Sequence, residues 1–149
     1  MLIVKIQKLD GEQLAYFKAL LDVFERAFEI KAFARPQDSY LQTLLKQEGF
    51  LVFVAVAEGL VVGGLTAYVI NQYYATAPLA YVYDLAVEPA YQRRGTGSQL
   101  MRAVIQFCKE NGMEEVFVQA DAGDEHAVQF YKATGGIAED VVHFNYPCL

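Results

Sequence analysis

Tyr81-Val82-Tyr83-Asp84-Leu85-Ala86-Val87-Glu88-Pro89-Ala90-Tyr91-Gln92-Arg93-Arg94-Gly95-Thr96-Gly97 is the stretch that decides the fold. Aromatic and β-branched residues run to Val87 and read as a strand. Pro89 then forces a turn, and a helix opens within 94–97. Backbone N–H groups at a helix start have no intrahelical partner and point outward, beside the positive end of the helix dipole. Glycines at 95 and 97 let a bulky anion reach that backbone with no Cβ in the way. Strand, turn and glycine-opened helix together predict a cradle for a diphosphate. Arg93 and Arg94 add positive charge in a chain of 12 basic and 18 acidic residues. The plainer alternative is a softened helix start carrying two solvated arginines.

Other phosphate motifs fail on inspection. No Gly-Lys dipeptide occurs in the chain, so there is no Walker loop. A dinucleotide fingerprint needs a small third residue where Leu100 stands, and an acid near the position of Phe117.

Outward from this segment, Ile3–Leu9 reads as a first strand. Leu14, Phe17, Leu21, Phe24 and Phe28 share one face of an amphipathic helix. A second helix follows Pro36, with Ser39 and Gln42 at capping-box spacing. Phe50–Ala57 and Leu60–Ile70 flank Glu58-Gly59 as an antiparallel hairpin. Leu100, Val104 and Cys108 face inward on a helix over 97–111. Val116–Gln119 is a short strand, Glu125–Ala133 a helix stopped by Gly135-Gly136, and Val141–Tyr146 a last strand. The order β-α-α-β-β-β-α-β-α-β predicts a mixed α+β sheet with helices on its faces, formed by one domain over 1–149.

The 149 residues are 54% hydrophobic with a net charge of −6. That balance argues against disorder and against a nucleic-acid partner. It is compatible with a cationic ligand, although many proteins are acidic only to stay dispersed. Neither long apolar stretch reaches the roughly 18–20 residues needed to cross a bilayer. The N-terminus carries no export signal, so the expected location is the cytoplasm. Cys108 and Cys148, with two histidines, give no zinc spacing and no disulfide framework.

Gln92-Arg93-Arg94-Gly95-Thr96-Gly97 resembles the Gln/Arg-x-x-Gly-x-Gly/Ala signature of the GNAT N-acetyltransferases. Asp84-Leu85-Ala86-Val87 looks like the family's fourth strand. Asp124 through Gly136, with Ala127, Tyr131 and Gly135, is similar to its second acetyl-CoA motif. A narrower likeness, to the gentamicin-modifying aminoglycoside 3-N-acetyltransferases, rests on Tyr83–Val87, Val118-Gln119-Ala120-Asp121, Gly123-Asp124, His143-Phe144 and Asp38-Ser39-Tyr40-Leu41. The resemblance implies a twisted, mostly antiparallel sheet of six to seven strands with about four helices. It also implies acetyl-CoA as co-substrate, an amine acceptor such as the 3-amine of an aminoglycoside, and a homodimer by family habit.

The resemblance assigns roles that chemistry can weigh. An ammonium cannot attack a thioester, so a carboxylate must take its proton, directly or through water. Asp84, in the strand expected to line the acetyl group, is the first candidate base and also a substrate contact; Glu88 is the second. The alternative for Asp84 is a strand carboxylate bonded to a neighbouring turn. Backbone of Leu85, Ala86 and Val87 is expected to pair with the pantetheine arm as an added strand would. Residues 92–97 and Ser98 are expected around the phosphates. Tyr131 would stand near the sulfur and protonate the departing thiolate, the alternative being a core aromatic. Asp121, Asp124, Glu125 and His143 would border the acceptor. Asp124 equally suits a helix N-cap, and Glu125 a first-turn acid. With Cys108 in a helix core and Cys148 near the chain's end, no nucleophile is well placed, and transfer is expected to be direct. The rivals are another amine acceptor on the same fold and a CoA-binding module without chemistry.

Overall fold

Glu58 and Gly59 both take positive φ, +52° and +78°, the requirement of a two-residue turn whose twist matches its strands. Around them β2 (Phe50–Ala57) and β3 (Leu60–Ile70) form the expected hairpin. The computed structural model describes residues 3–30 and 34–149. Two compact units emerge, residues 1–119 and 120–149.

The first unit holds a sheet in the order β1-β2-β3-β4-β5, where β1 is Val4–Lys8, β4 Leu79–Val87 and β5 Glu115–Val118. Its first four strands are antiparallel, and β5 joins β4 in parallel. Side chains alternate across the sheet, so each face takes its own helices. On one face α1 (Leu14–Ala27) and α2 (Asp38–Leu45) enclose Phe50, Val52, Val54 and Ala86 with Phe17, Leu20, Val23 and Leu41. On the other, α3 (Thr96–Glu110) buries Leu100, Val104 and Cys108, and Phe107 meets Phe53 edge-on at 5.9 Å. Gly64 lets α1 sit close: a Cβ there would lie 2.6 Å from Leu20 Cδ1 and from the Phe53 carbonyl.

Two expectations for the elements of this unit need correction. Among the described residues the sheet has five strands, not six or seven. Ser39 does not cap α2: the helix begins at Asp38 after Gln37, and Gln42 Nε2 instead donates to the Gly11 carbonyl. Gln37 enters the helix with extended backbone, ψ +156°, which moves the cap ahead of the serine.

In the second unit α4 (Glu125–Ala133) is capped by Asp124, whose Oδ1 accepts from the Ala127 N–H at 3.1 Å. Gly135, at φ +99°, turns the chain out of the helix. The strand expected at Val141–Tyr146 does not form; residues 136–149 have no regular structure. Its apolar pattern is real, and Ile137, Val141, Val142, Phe144 and Tyr146 are all exposed. A strand needs a ladder partner, and this unit contains none.

Candidate active site

The β3–β4 ladder carries one irregularity. Thr66 pairs with Asp84 and Ala67 with Val82, leaving Tyr83 as an extra residue. Such a bulge bends the strand and sharpens its twist. β5 accompanies β4 only along Leu79–Val82, so the segment 83–87 has no neighbour on that side among the described residues. The Glu88 N–H donates to Val62 O at 2.8 Å. Because successive residues of an antiparallel strand point their backbone groups to opposite sides, Ala86 turns toward β3 and Leu85 and Val87 turn away. Leu85 therefore offers N–H and C=O to the open edge, and Val87 offers its N–H. Ala86, expected to share that role, has its groups committed to the sheet.

The bulge has a second effect. Alternation would put consecutive residues on opposite faces, yet Tyr83 and Asp84 share one. Asp84 stands opposite Thr66 on the α1/α2 side, while the Tyr83 ring meets Tyr68 at 5.7 Å and Tyr81 at 5.8 Å on that same side. Asp84 is half-buried and has no hydrogen bond or ion pair among the described residues. Burial pushes its carboxyl above the ordinary carboxylate range. Tyr68 is likewise raised, first by burial and then by the charges of Tyr83, Tyr40 and Asp84 around it.

Beyond Val87 the chain makes a short 3-10 turn, Pro89–Tyr91, and enters α3. Gln92 closes this turn from inside: its N–H donates to Pro89 O at 3.3 Å and its Nε2 to Val87 O at 2.8 Å. Expected among the phosphate ligands, Gln92 instead spends these donors on the protein. Arg93 and Gly95 adopt left-handed backbone, φ +60° and +81°. Left-handed residues interleaved with right-handed ones gather successive N–H groups into an anion-binding concavity. No acceptor among the described residues takes the N–H groups of Arg93, Arg94, Gly95, Thr96, Gly97 or Ser98. A Cβ on Gly95 would meet nothing within 4 Å, so the space before the helix is open. The Thr96 side chain is buried and donates to Tyr91 O at 3.3 Å, holding the loop rather than facing out. Arg93 and Arg94 are exposed, and Arg94 lies 6.0 Å from the Tyr91 ring. This backbone fits a diphosphate.

Glu88, the second candidate base, is paired: Arg26 Nε donates to its Oε1 at 3.0 Å and Nη2 reaches the same oxygen. That pair ties the end of α1 to the end of β4. It also borders a cleft of about 410 Å³ lined by Ala19, Val62 and Tyr91.

In the second unit Asp121 and Glu125 are exposed and Asp124 is engaged as the α4 cap. Tyr131 is half-buried on α4, edge-on to Phe130 at 5.0 Å, and its carbonyl accepts from Gly136 N and Thr134 Oγ1. His143 is exposed, with Nε2 3.0 Å from Asn145 Oδ1. Cys108 is buried and its thiol pushed up by burial, which keeps it from acting as a thiolate. What sequence reasoning missed is the aromatic company of Asp84: a bulge brings Tyr83 beside it, and bulges have no side-chain signature.

Known proteins share this fold. Residues 16–135 match the model of the Acetyltransferase (GNAT) family. The aminoglycoside acetyltransferase meta-AAC0020 from an uncultured soil metagenomic sample, solved with trehalose, superposes with a TM-score of 0.96 at 49% identity, covering 98% of this chain and 97% of that one. The same enzyme has been solved with sisomicin. HMB0005, another soil metagenomic aminoglycoside acetyltransferase, superposes with a TM-score of 0.93 at 31% identity, covering 99% of each chain. The N-acetyltransferase MJ1207 of Methanocaldococcus jannaschii is 26% identical over 130 residues, 85% of this chain and 55% of that protein. A ycf52-like N-acetyltransferase of Prochlorococcus marinus is 37% identical over 60 residues, 40% of this chain and 32% of that protein. The matches thus span about half or less of these two relatives. Aminoglycoside N-acetyltransferase AAC(6')-Iy, solved with CoA, shares the fold at 18% identity, 99% coverage of this chain and 97% of that one, and a TM-score of 0.79. With the matching segment spanning most of the chain, and the bulged strand and anion cradle in place, this protein belongs to the acetyltransferase (GNAT) family.

Proposed function

We propose that this chain, acting as one N-acetyltransferase domain over its 149 residues, transfers acetyl directly from acetyl-CoA to a primary amine of an aminoglycoside. The observation that carries the reading is Asp84: a half-buried carboxylate without a partner, on the strand that runs into the anion cradle. A charge held short of water favours a cationic ligand that restores its interactions. The relative at 48–49% identity, solved with sisomicin, supports an aminoglycoside as that ligand. The motif resemblance favours its 3-amine.

In this reading the N–H groups of Arg93–Ser98 hold the pyrophosphate, and the open groups of Leu85 and Val87 pair with the pantetheine amides. Acetyl-CoA supplies the activated acyl group. Asp84 takes a proton from the acceptor ammonium, directly or through water, and the freed nitrogen attacks the thioester carbonyl. Tyr131 gives a proton to the departing sulfur; a free thiol has a pKa of about 8.5, so this help is modest near neutrality. The motif resemblance assigns Asp121, Glu125 and His143 to the acceptor, the acids adding negative charge for a polycation. A second copy of the chain is a further partner, supported by the exposed apolar residues of 137–149. The expected setting is the cytoplasm.

The test is acetyl-CoA turnover with sisomicin, spermidine and a short peptide, the product's acetylated nitrogen being assigned by NMR. Turnover of sisomicin with the label on the 3-amine is expected. Absence of aminoglycoside turnover ends the acceptor assignment, and label elsewhere ends the regiochemistry.

A further inference from the structure

Aromatic rings form a continuous strip across the α1/α2 side of the sheet, around the carboxylate of Asp84. Phe50 on β2 meets Tyr68 on β3 at 5.1 Å, Tyr68 meets Tyr83 at 5.7 Å, Tyr83 meets Tyr81 at 5.8 Å, and Tyr81 stacks on Phe117 of β5 at 4.8 Å and 6°. Phe50 is buried beneath α1 and α2 and Tyr81 is half-covered, but the middle of the strip is open. Tyr83 is 58% exposed and Tyr68 37%; Tyr40, on the first turn of α2, is 62% exposed and near enough to Tyr68 to help raise its phenol.

Core packing does not explain rings this exposed, since an aromatic gains by leaving water. Nor does the charge of the acceptor alone, because each ammonium needs only one carboxylate or one ring face, and rings in mutual contact serve a broader surface. A strip several rings long suits a ligand that is itself made of rings. Saturated six-membered rings with equatorial substituents present axial C–H bonds above and below, and these rest on the electron-rich faces of aromatics. Polar groups at the ring's rim stay wet, or reach Asp84.

We propose that Tyr40, Tyr68 and Tyr83 form the acceptor's ring-binding wall, seating the C–H face of an amino sugar or aminocyclitol so that one of its amines meets Asp84. This rests on the aminoglycoside reading above. It assigns ring recognition to the tyrosines and charge recognition to Asp84, so the enzyme separates cyclic amines from linear ones of similar charge by shape.

Calorimetric titration of the full chain with sisomicin, and with spermidine as a linear cation, tests the division. Tyr83→Ala and Tyr40→Ala, both at exposed positions, are expected to weaken sisomicin binding by about 5–10-fold each while shifting spermidine by less than twofold. Tyr83→Phe keeps the ring and is expected to bind sisomicin within about twofold of the parent. Asp84→Asn is expected to weaken both ligands. Alanine variants that bind sisomicin like the parent overturn the wall, as does an equal loss of spermidine, or a Phe variant as weak as Ala. If the parent protein neither binds nor acetylates sisomicin, the aminoglycoside reading falls and takes the wall with it. Parent turnover with indifferent tyrosine variants removes the wall alone.

Discussion

A carboxylate that has given up part of its water and gained no partner is held at a cost, and Asp84 is such a group. Its folded-state pKa is raised, so the native state keeps a proton that the unfolded chain has already lost. Stability from this group is present at low pH and falls as pH rises through the folded value. Asp84→Asn is therefore expected to raise Tm by about 1–3 °C in a thermal melt at pH 7.5. The same change removes the proposed base: kcat/KM for the acceptor should drop about 100–1,000-fold, with acetyl-CoA affinity retained by calorimetry. An unchanged rate would take Asp84 out of the mechanism. In the parent, the acid limb of kcat/KM against pH should lie above the ordinary carboxylate range, because the base is charged only above its raised pKa. Glu88 contrasts with it. Its oxygen is occupied by Arg26 near the surface, so Glu88→Gln should cost under about 1 kcal/mol in denaturant melts and change the rate by no more than a few-fold. The sequence offered both acids for one role, and only the coordinates show which one has been left unpaired.

Glycines write the element-scale geometry. At Gly95 the left-handed backbone makes a side chain costly; Gly95→Val should weaken CoA binding at least 10-fold, measured by calorimetry, as the strained loop re-aims its N–H groups. Gly64→Ala would set a methyl against Leu20 and the Phe53 carbonyl, and a loss of about 1–3 kcal/mol in denaturant unfolding is expected. Elements with strong local signals were legible. The hairpin around Glu58-Gly59, the helix behind Gly97 and the short helix after Asp124 stand where periodicity and turn residues put them. The α2 cap was not, because Ser39 satisfies the chemistry while the entering backbone puts the cap at Gln37, which makes no side-chain cap bond. Nor was the bulge in β4, which rests on one unpaired residue in a run that reads as uniform strand.

At the scale of the molecule, 18 acids against 12 bases give a field that draws in a polycation. The KM for sisomicin is expected to rise several-fold between about 20 and 300 mM salt, in initial-rate assays, as screening shortens that reach. The fold class was readable because alternation and helical spacing report which face each element buries. The final strand was misread for the converse reason: Val141–Tyr146 has the right alternation, but pairing is decided by what lies alongside, and no sequence pattern names the neighbour.

Tyr83 is the one residue of β4 that the β3 ladder does not count. Excise it, and Val82 and Asp84 become consecutive while every other partner keeps its place, from Ile70 opposite Leu79 to Gly63 opposite Val87. The straightened strand would lose both its kink and a ring beside the carboxylate. A chain one residue shorter would thus be a better sheet and a poorer catalyst.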